Sequence, residues 1–163
     1  SKDSDEITAF CTALSAKKLE IGTTREDTSF TLDGVTYAIY PPEQSSYDTD
    51  ESNNSSLAVR VSYGSFSMLF TGDAENERIK ELVATPGLES TVLKVPYHGR
   101  LVDASAAFLA ACSPKIAFIP DSDEEAASPM VVAILKELGT DVHSGRDGDL
   151  VVVSDGKDVF VKQ

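Results

Sequence analysis

The chain has 163 residues, 41% hydrophobic and 25% charged, which suits one domain that buries a core without disulfide or metal staples. Its 27 acids outweigh 14 bases for a net charge of −13, a surface that disfavours nucleic acid and anionic membrane, since both are held through Lys and Arg. No stretch approaches the roughly 20 apolar residues of a membrane span, and the N-terminal SKDSDEITAF lacks the charged-then-apolar pattern of a signal peptide.

Behind a Ser4/Asp5 cap, residues Ile7, Phe10, Cys11 and Leu14 recur at the spacing of one helical face. The runs LEIG (19–22), SFTL (29–32) and VTYAIY (35–40) read as strands, the last two joined in a hairpin by Asp33-Gly34. Pro41-Pro42 stops the strand, and EQSSYDTDESNNSS is a polar loop of the length that carries function or disorder. LAVRVSYGSFSMLF (57–70) predicts two strands around Tyr63-Gly64. ENERIKELVATPG then predicts a helix with Ile79, Leu82 and Val83 on one side.

A strand–helix series follows. TVLKVP precedes a helix around DASAAFLAAC, and KIAFIP precedes SPMVVAILKELG, with Ser128 as cap, Pro129 in the first turn and Gly139 as stop. LVVVS and DVFVK predict a closing hairpin through Asp155-Gly156. The continuous apolar runs SMLF, TVLKV and KIAFI predict strands covered on both faces. Together these elements predict an α/β sandwich with helices against a mixed sheet, without internal repeat or domain boundary.

Cys11 and Cys112 fall on apolar helix faces and read as small core residues rather than a disulfide. The acidic runs YDTDES (47–52) and DSDEE (121–125) read as solvated loops, with a weak site for a hard cation such as calcium as the alternative. Asp73 and His98, of which only one other histidine exists in the chain, each end a predicted strand, where α/β sheets place their sites. Alone, Asp73 reads as a helix cap and His98 as a solvated histidine. As a pair they suggest a site. His143 reads as a surface residue.

The blocks NNSSLAVRVSYGSFSMLFTGDAE, LKVPYHGR, FLAACSPKIAFIP and SPMVVAILKELGTDVHSGRDGDLVVVSDG resemble the second half of ComEC-type metallo-β-lactamase-fold domains. The upstream helix and LDGVTYAIYPPE match too, so the likeness spans nearly the whole chain. The resemblance implies the C-terminal half of a four-layer αββα fold that hydrolyses phosphate esters, often in DNA, with one or two zinc or manganese ions. It also implies an extracellular or secreted bacterial setting. Asp73 corresponds to the bridging metal carboxylate and His98 to the second histidine of an H-H-G block, so both stand as candidate catalytic and metal residues. Asn53, Asn54 and Ser56 match an N-N-x-S-L block that shapes a loop, with Asn54 and Tyr97 as weaker candidates for substrate contact.

The departures are as informative. Tyr97 stands where the first histidine of H-H-G would be, Ala126 where a later histidine would be, and Arg100 where the family has Ser. The principal metal motif, H-x-[HD]-x-D-H, belongs to the half of the fold not present in this chain. Catalytic zinc takes three protein ligands and an open position, so one matching histidine and one carboxylate make half a site, even with Asp121 or Asp123 borrowed. The expected zinc or manganese is therefore not held stoichiometrically by this chain. Two functions compete: a fragment of a metal-dependent phosphoesterase, inactive alone, and a degenerate non-catalytic module that keeps the fold to bind a partner. A plain α/β binding domain outside the family is a third. Either way the sheet should show one bare face, covered by the missing N-terminal half or by a homodimer mate.

Overall fold

The computed structural model describes residues 5–162. They form an α/β fold with a seven-stranded mixed sheet, five α-helices and a separate two-stranded hairpin. The strands are β1 (Thr28–Leu32), β2 (Val35–Tyr40), β3 (Ala58–Tyr63), β4 (Phe66–Phe70), β5 (Val92–Lys94), β6 (Ile116–Ile119) and β7 (Asp141–Ser144), arranged across the sheet in chain order. β1 to β4 form an antiparallel meander, and β4 to β7 run parallel. The helices are α1 (Asp5–Ala16), α2 (Glu51–Asn54), α3 (Asn76–Ala84), α4 (Ser105–Cys112) and α5 (Pro129–Glu137). β8 (Val151–Ser154) and β9 (Val159–Lys162) make the hairpin.

The punctuation read from the sequence explains most of these boundaries. Asp33 and Gly34 have φ of 50° and 82°, the pair of left-handed residues that a two-residue hairpin turn requires. Ser128 caps α5 by accepting from the Met130 N–H, and Gly139, at φ 77°, ends that helix. Two expectations change. LEIG forms no strand, and residues 17–27 are irregular and exposed. α1 forms, but none of its residues is buried, so Cys11 is only half-buried while Cys112 lies in the core; both thiols are free. Ser4, the other expected cap residue, lies outside the described residues.

The core sits between the parallel strands and α3 to α5. Leu69, Leu93 and Ala117 are paired neighbours across β4, β5 and β6, all fully buried beneath Leu82, Phe108, Leu109 and Leu135. The alternate residues point the other way. By register this second face carries Phe30, Leu32, Tyr37, Ile39, Val59, Val61, Met68, Phe70, Ile116 and Phe118, none of them buried, and Val92, which is fully buried between Met68 and Ile116. Of the three runs expected to be covered on both faces, TVLKV has Val92 and Leu93 buried on opposite faces, whereas SMLF and KIAFI alternate in burial, which leaves the sheet one largely open side as expected of a chain without its covering layer. The hairpin shields one end of that face only. Its Val159 lines a cleft with Ile116 and Thr91, and its Gly156 carbonyl accepts from Ser65 N–H at 2.6 Å. His143, expected at the surface, lies on β7 with its side chain 14% exposed, beside Asp141.

A buried polar network fixes the 41–56 loop to α3. The Arg78 guanidinium donates to the carbonyls of Ser56 (3.1 Å) and Tyr40 (2.7 Å) and to the Glu81 carboxylate (2.9 Å). Tyr47 donates its hydroxyl to Glu81 at 2.9 Å. Burial, with the Glu81 contact next, pushes the Tyr47 phenol up to about 12, so it stays a donor throughout the working range. Arg78 and Glu81 side chains are 2% and 9% exposed, so neither charge has water to fall back on. Arg78→Met should destabilise by about 3–5 kcal/mol, because it strands the Glu81 charge and two carbonyls. Tyr47→Phe should cost only about 1–2 kcal/mol. Urea unfolding of both variants checks the ratio; equal and small losses would contradict the network's role.

Candidate functional site

β4, β5 and β6 run in the same direction, so the loops that follow them meet at one end of the sheet. Thr71-Gly72-Asp73 follows β4, Tyr97-His98-Gly99 follows β5 after Val95-Pro96, and Pro120-Asp121 follows β6. Asp73 and His98, far apart in sequence, come together as expected, with His98 Nε2 3.7 Å from Asp73 Oδ1. Asp73 is not a helix cap. It lies before the first residue of α3, whose capping position is Glu75.

The loops are built for close approach. A Cβ on Gly72 would lie 2.8 Å from Ser56 Oγ, the same hydroxyl that accepts from the Asp73 N–H at 3.1 Å. A Cβ on Gly99 would lie 2.7 Å from Ile119 and 2.9 Å from Ala127. Tyr97 and His98 precede it at φ of 48° and 52°, so left-handed residues occur three in a row with Gly99 at 72°. For the tyrosine and the histidine that conformation costs about 1–2 kcal/mol each. The surrounding contacts hold it: Gly99 N–H donates to Pro96, and Ser128 N–H donates to the Gly99 carbonyl.

His98 has a defined tautomer. Its Nδ1 is 2.6 Å from the Pro120 carbonyl, which can only accept, so Nδ1 carries the proton and Nε2 faces Asp73. Asp73 is already paired: Lys94 Nζ lies 3.1 Å from its Oδ1 and also donates to the Gly72 carbonyl. Asp121 is paired more completely. Its oxygens take the Ser144 hydroxyl, the Ala127 N–H and Arg146 at 3.0 Å, and its side chain is 1% exposed. Burial alone would raise the Asp121 pKa, but Ser144, Ala127 and Arg146 together hold it below the usual carboxylate value. Asp123 is an exposed residue of the same loop.

Tyr97 contacts Arg100. Its hydroxyl accepts from the Arg100 guanidinium at 3.4 Å, and Arg100 lies over its ring at 5.1 Å while reaching Glu125 at 2.8 Å. Glu75 is 7% exposed and accepts from the Asn53 side-chain amide at 2.5 Å. Burial raises its pKa, Asn53 pulls it back, and Asp50 adds to the rise. Asn54, the weak candidate for substrate contact, does not reach the surface. It is 1% exposed, donates to the Thr49 carbonyl and accepts from the Arg78 N–H, so it is a brace of the loop.

Among the described residues no group of three or more His, Cys, Asp or Glu converges on a point where a metal ion could sit. The residues present do not fit zinc or manganese: His98 offers one nitrogen, Asp73 is bridged by an ammonium, and Asp121 is closed by a guanidinium and a hydroxyl. No helix among the described residues is long and apolar enough to cross a membrane. No protein-family model matches the chain. No curated protein matches its sequence closely enough to count as a relative.

Lys94, Arg146 and Glu75 were missed by sequence reasoning. For Lys94, the L-K-V-P block held the signal, since alternation along β5 puts Lys94 on the open face at the end nearest Asp73. Arg146 and Glu75 left no local signal.

The Asp121 cluster has a pH signature. A depressed folded pKa contributes stability above the ordinary aspartate value of about 3.9, and that contribution disappears as pH falls through the folded value. Asp121→Asn should therefore lower stability at pH 7 and match the parent chain in strong acid. Chemical unfolding between pH 7 and pH 2 checks this, and a stability gap that persists or widens in acid would contradict it.

Proposed function

We propose that this chain is the second half of a ComEC-like metallo-β-lactamase fold that has given up hydrolysis and acts as a docking module, offering its open sheet face to another polypeptide. One observation carries the first part: the carboxylates at the strand ends around His98 are paired with cations of the chain itself, Asp73 with Lys94, Asp121 with Arg146 and Glu125 with Arg100. A catalytic metal needs such groups open. Tyr97 and Ala126, at positions where the family has histidine, agree with it. The open apolar face supports the second part, since contiguous exposed apolar surface on a soluble protein marks a contact site. The covering layer is the first half of the fold or a second copy.

A second reading keeps the chain as one half of a metal-dependent phosphoesterase completed by the other half. His98 favours it: a Nδ1–H anchored on a carbonyl, with Nε2 turned to a carboxylate, is how metal-binding histidines are oriented.

Calorimetric titration with zinc and with manganese separates the two. The docking module should take up neither stoichiometrically, and Asp73→Asn or His98→Ala should change nothing in the titration. One equivalent bound tightly, and lost in both variants, would overturn the module and establish the hydrolase half.

A further inference from the structure

From Asp5 to Leu32 the chain builds a regular helix and a strand but buries no residue. Ile7, Phe10, Leu19, Ile21, Phe30 and Leu32 are 45% to 61% exposed. β1 closes this segment and is one edge of the seven-stranded sheet. Edge strands of soluble proteins are blunted by a charge, a proline, a bulge or a covering element. The other edge, β7, carries Asp141 and His143. β1, with the sequence TSFTL, has no charge, no proline and no bulge in its pairing with β2, and all five residues are exposed. Its outward backbone groups and the Phe30–Leu32 side of the open face are presented together. They are what an added strand takes.

The charges say which strand. Glu26 and Asp27 precede β1 and Asp33 follows it. If two copies paired antiparallel through all five residues, centred on Phe30, each Asp27 would lie opposite an Asp33. Like charges directly opposite oppose pairing, and two chains at −13 repel at longer range. A register slipped by one residue would turn Phe30 and Leu32 to the wrong face. The fully paired register is thus set against itself, and the flanks, with Glu26, Asp27 and Asp33 against the single Arg25, are net acidic and complement a basic strand.

We infer that β1 is a strand-addition site for an extended segment of a different polypeptide, apolar at alternate positions and flanked by lysine or arginine. Backbone bonds to β1 supply the affinity, the alternate apolar side chains continue the open face beyond Phe30 and Leu32, and the basic flanks meet Glu26, Asp27 and Asp33. The inference rests on the docking-module reading and names the chemistry of the partner.

The probe is the synthetic peptide KKVTVTVKK, with EEVTVTVEE as its charge-reversed control, followed through the backbone amide signals of the full chain. The basic peptide should shift and protect amides of Thr28–Leu32, and the acidic one should bind about tenfold more weakly or less. The exposed double variant Glu26→Lys with Asp27→Lys leaves the core untouched and should narrow or reverse that preference. No binding of either peptide, shifts centred away from β1, or a preference indifferent to the double variant would each overturn the inference. Stoichiometric zinc uptake would instead sink the docking-module reading, whatever the peptides do, so the two failures are distinguishable.

Discussion

The buried guanidinium of Arg78 is the contact on which the rest of the site depends. From one side chain it holds the carbonyl that ends β2, the carbonyl of Ser56 and the carboxylate of Glu81. Ser56 in turn meets the Asp73 N–H and sets how closely Gly72 can approach. Asn54, held by the Arg78 backbone, and Asn53, bonded to Glu75, brace the same loop. The position of Asp73 is therefore fixed from behind by an N-N-S-S loop and a helix. The same scaffold holds carboxylates that are paired with cations of the chain itself, Asp73 with Lys94 and Asp121 with Arg146.

Much of the fold was legible because local chemistry and global packing agree. Asp33-Gly34, Ser128-Pro129 and Gly139 fix boundaries through backbone needs that few other residues meet. The proximity of Asp73 and His98 followed from parallel strands alone. What sequence could not give is partnership between side chains on different elements: Arg146 on Asp121, Asn53 on Glu75, Tyr47 on Glu81. Asp73 misled when taken alone, since a helix-capping residue and a loop carboxylate look alike before the first turn is placed. LEIG misled because four apolar-rich residues without neighbours have no sheet to join.

The apolar runs SMLF and KIAFI were written for burial on both sides, yet in this chain each is covered on one. The same holds for the hairpin, where Val151, Val153 and Phe160 on its outer side are half-exposed. α1 carries an apolar stripe of which no residue is fully buried. Three elements with exposed apolar surface in one molecule are what the proposed docking role would use. The paired carboxylates and the open face then belong to one proposal: a module without hydrolysis that offers its uncovered face to another layer.

Hydrogen exchange, read strand by strand on the isolated chain, tests that account most directly. Amides of β4, β5 and β6, at Leu69, Leu93 and Ala117, should exchange only through global unfolding, because the helices cover them. Amides of α1 and β1 should exchange orders of magnitude faster, because no residue of either element is buried. Protection of Phe30 and Leu32 equal to that of Leu93 would contradict the account, since a segment already stable by itself has no face left to dock.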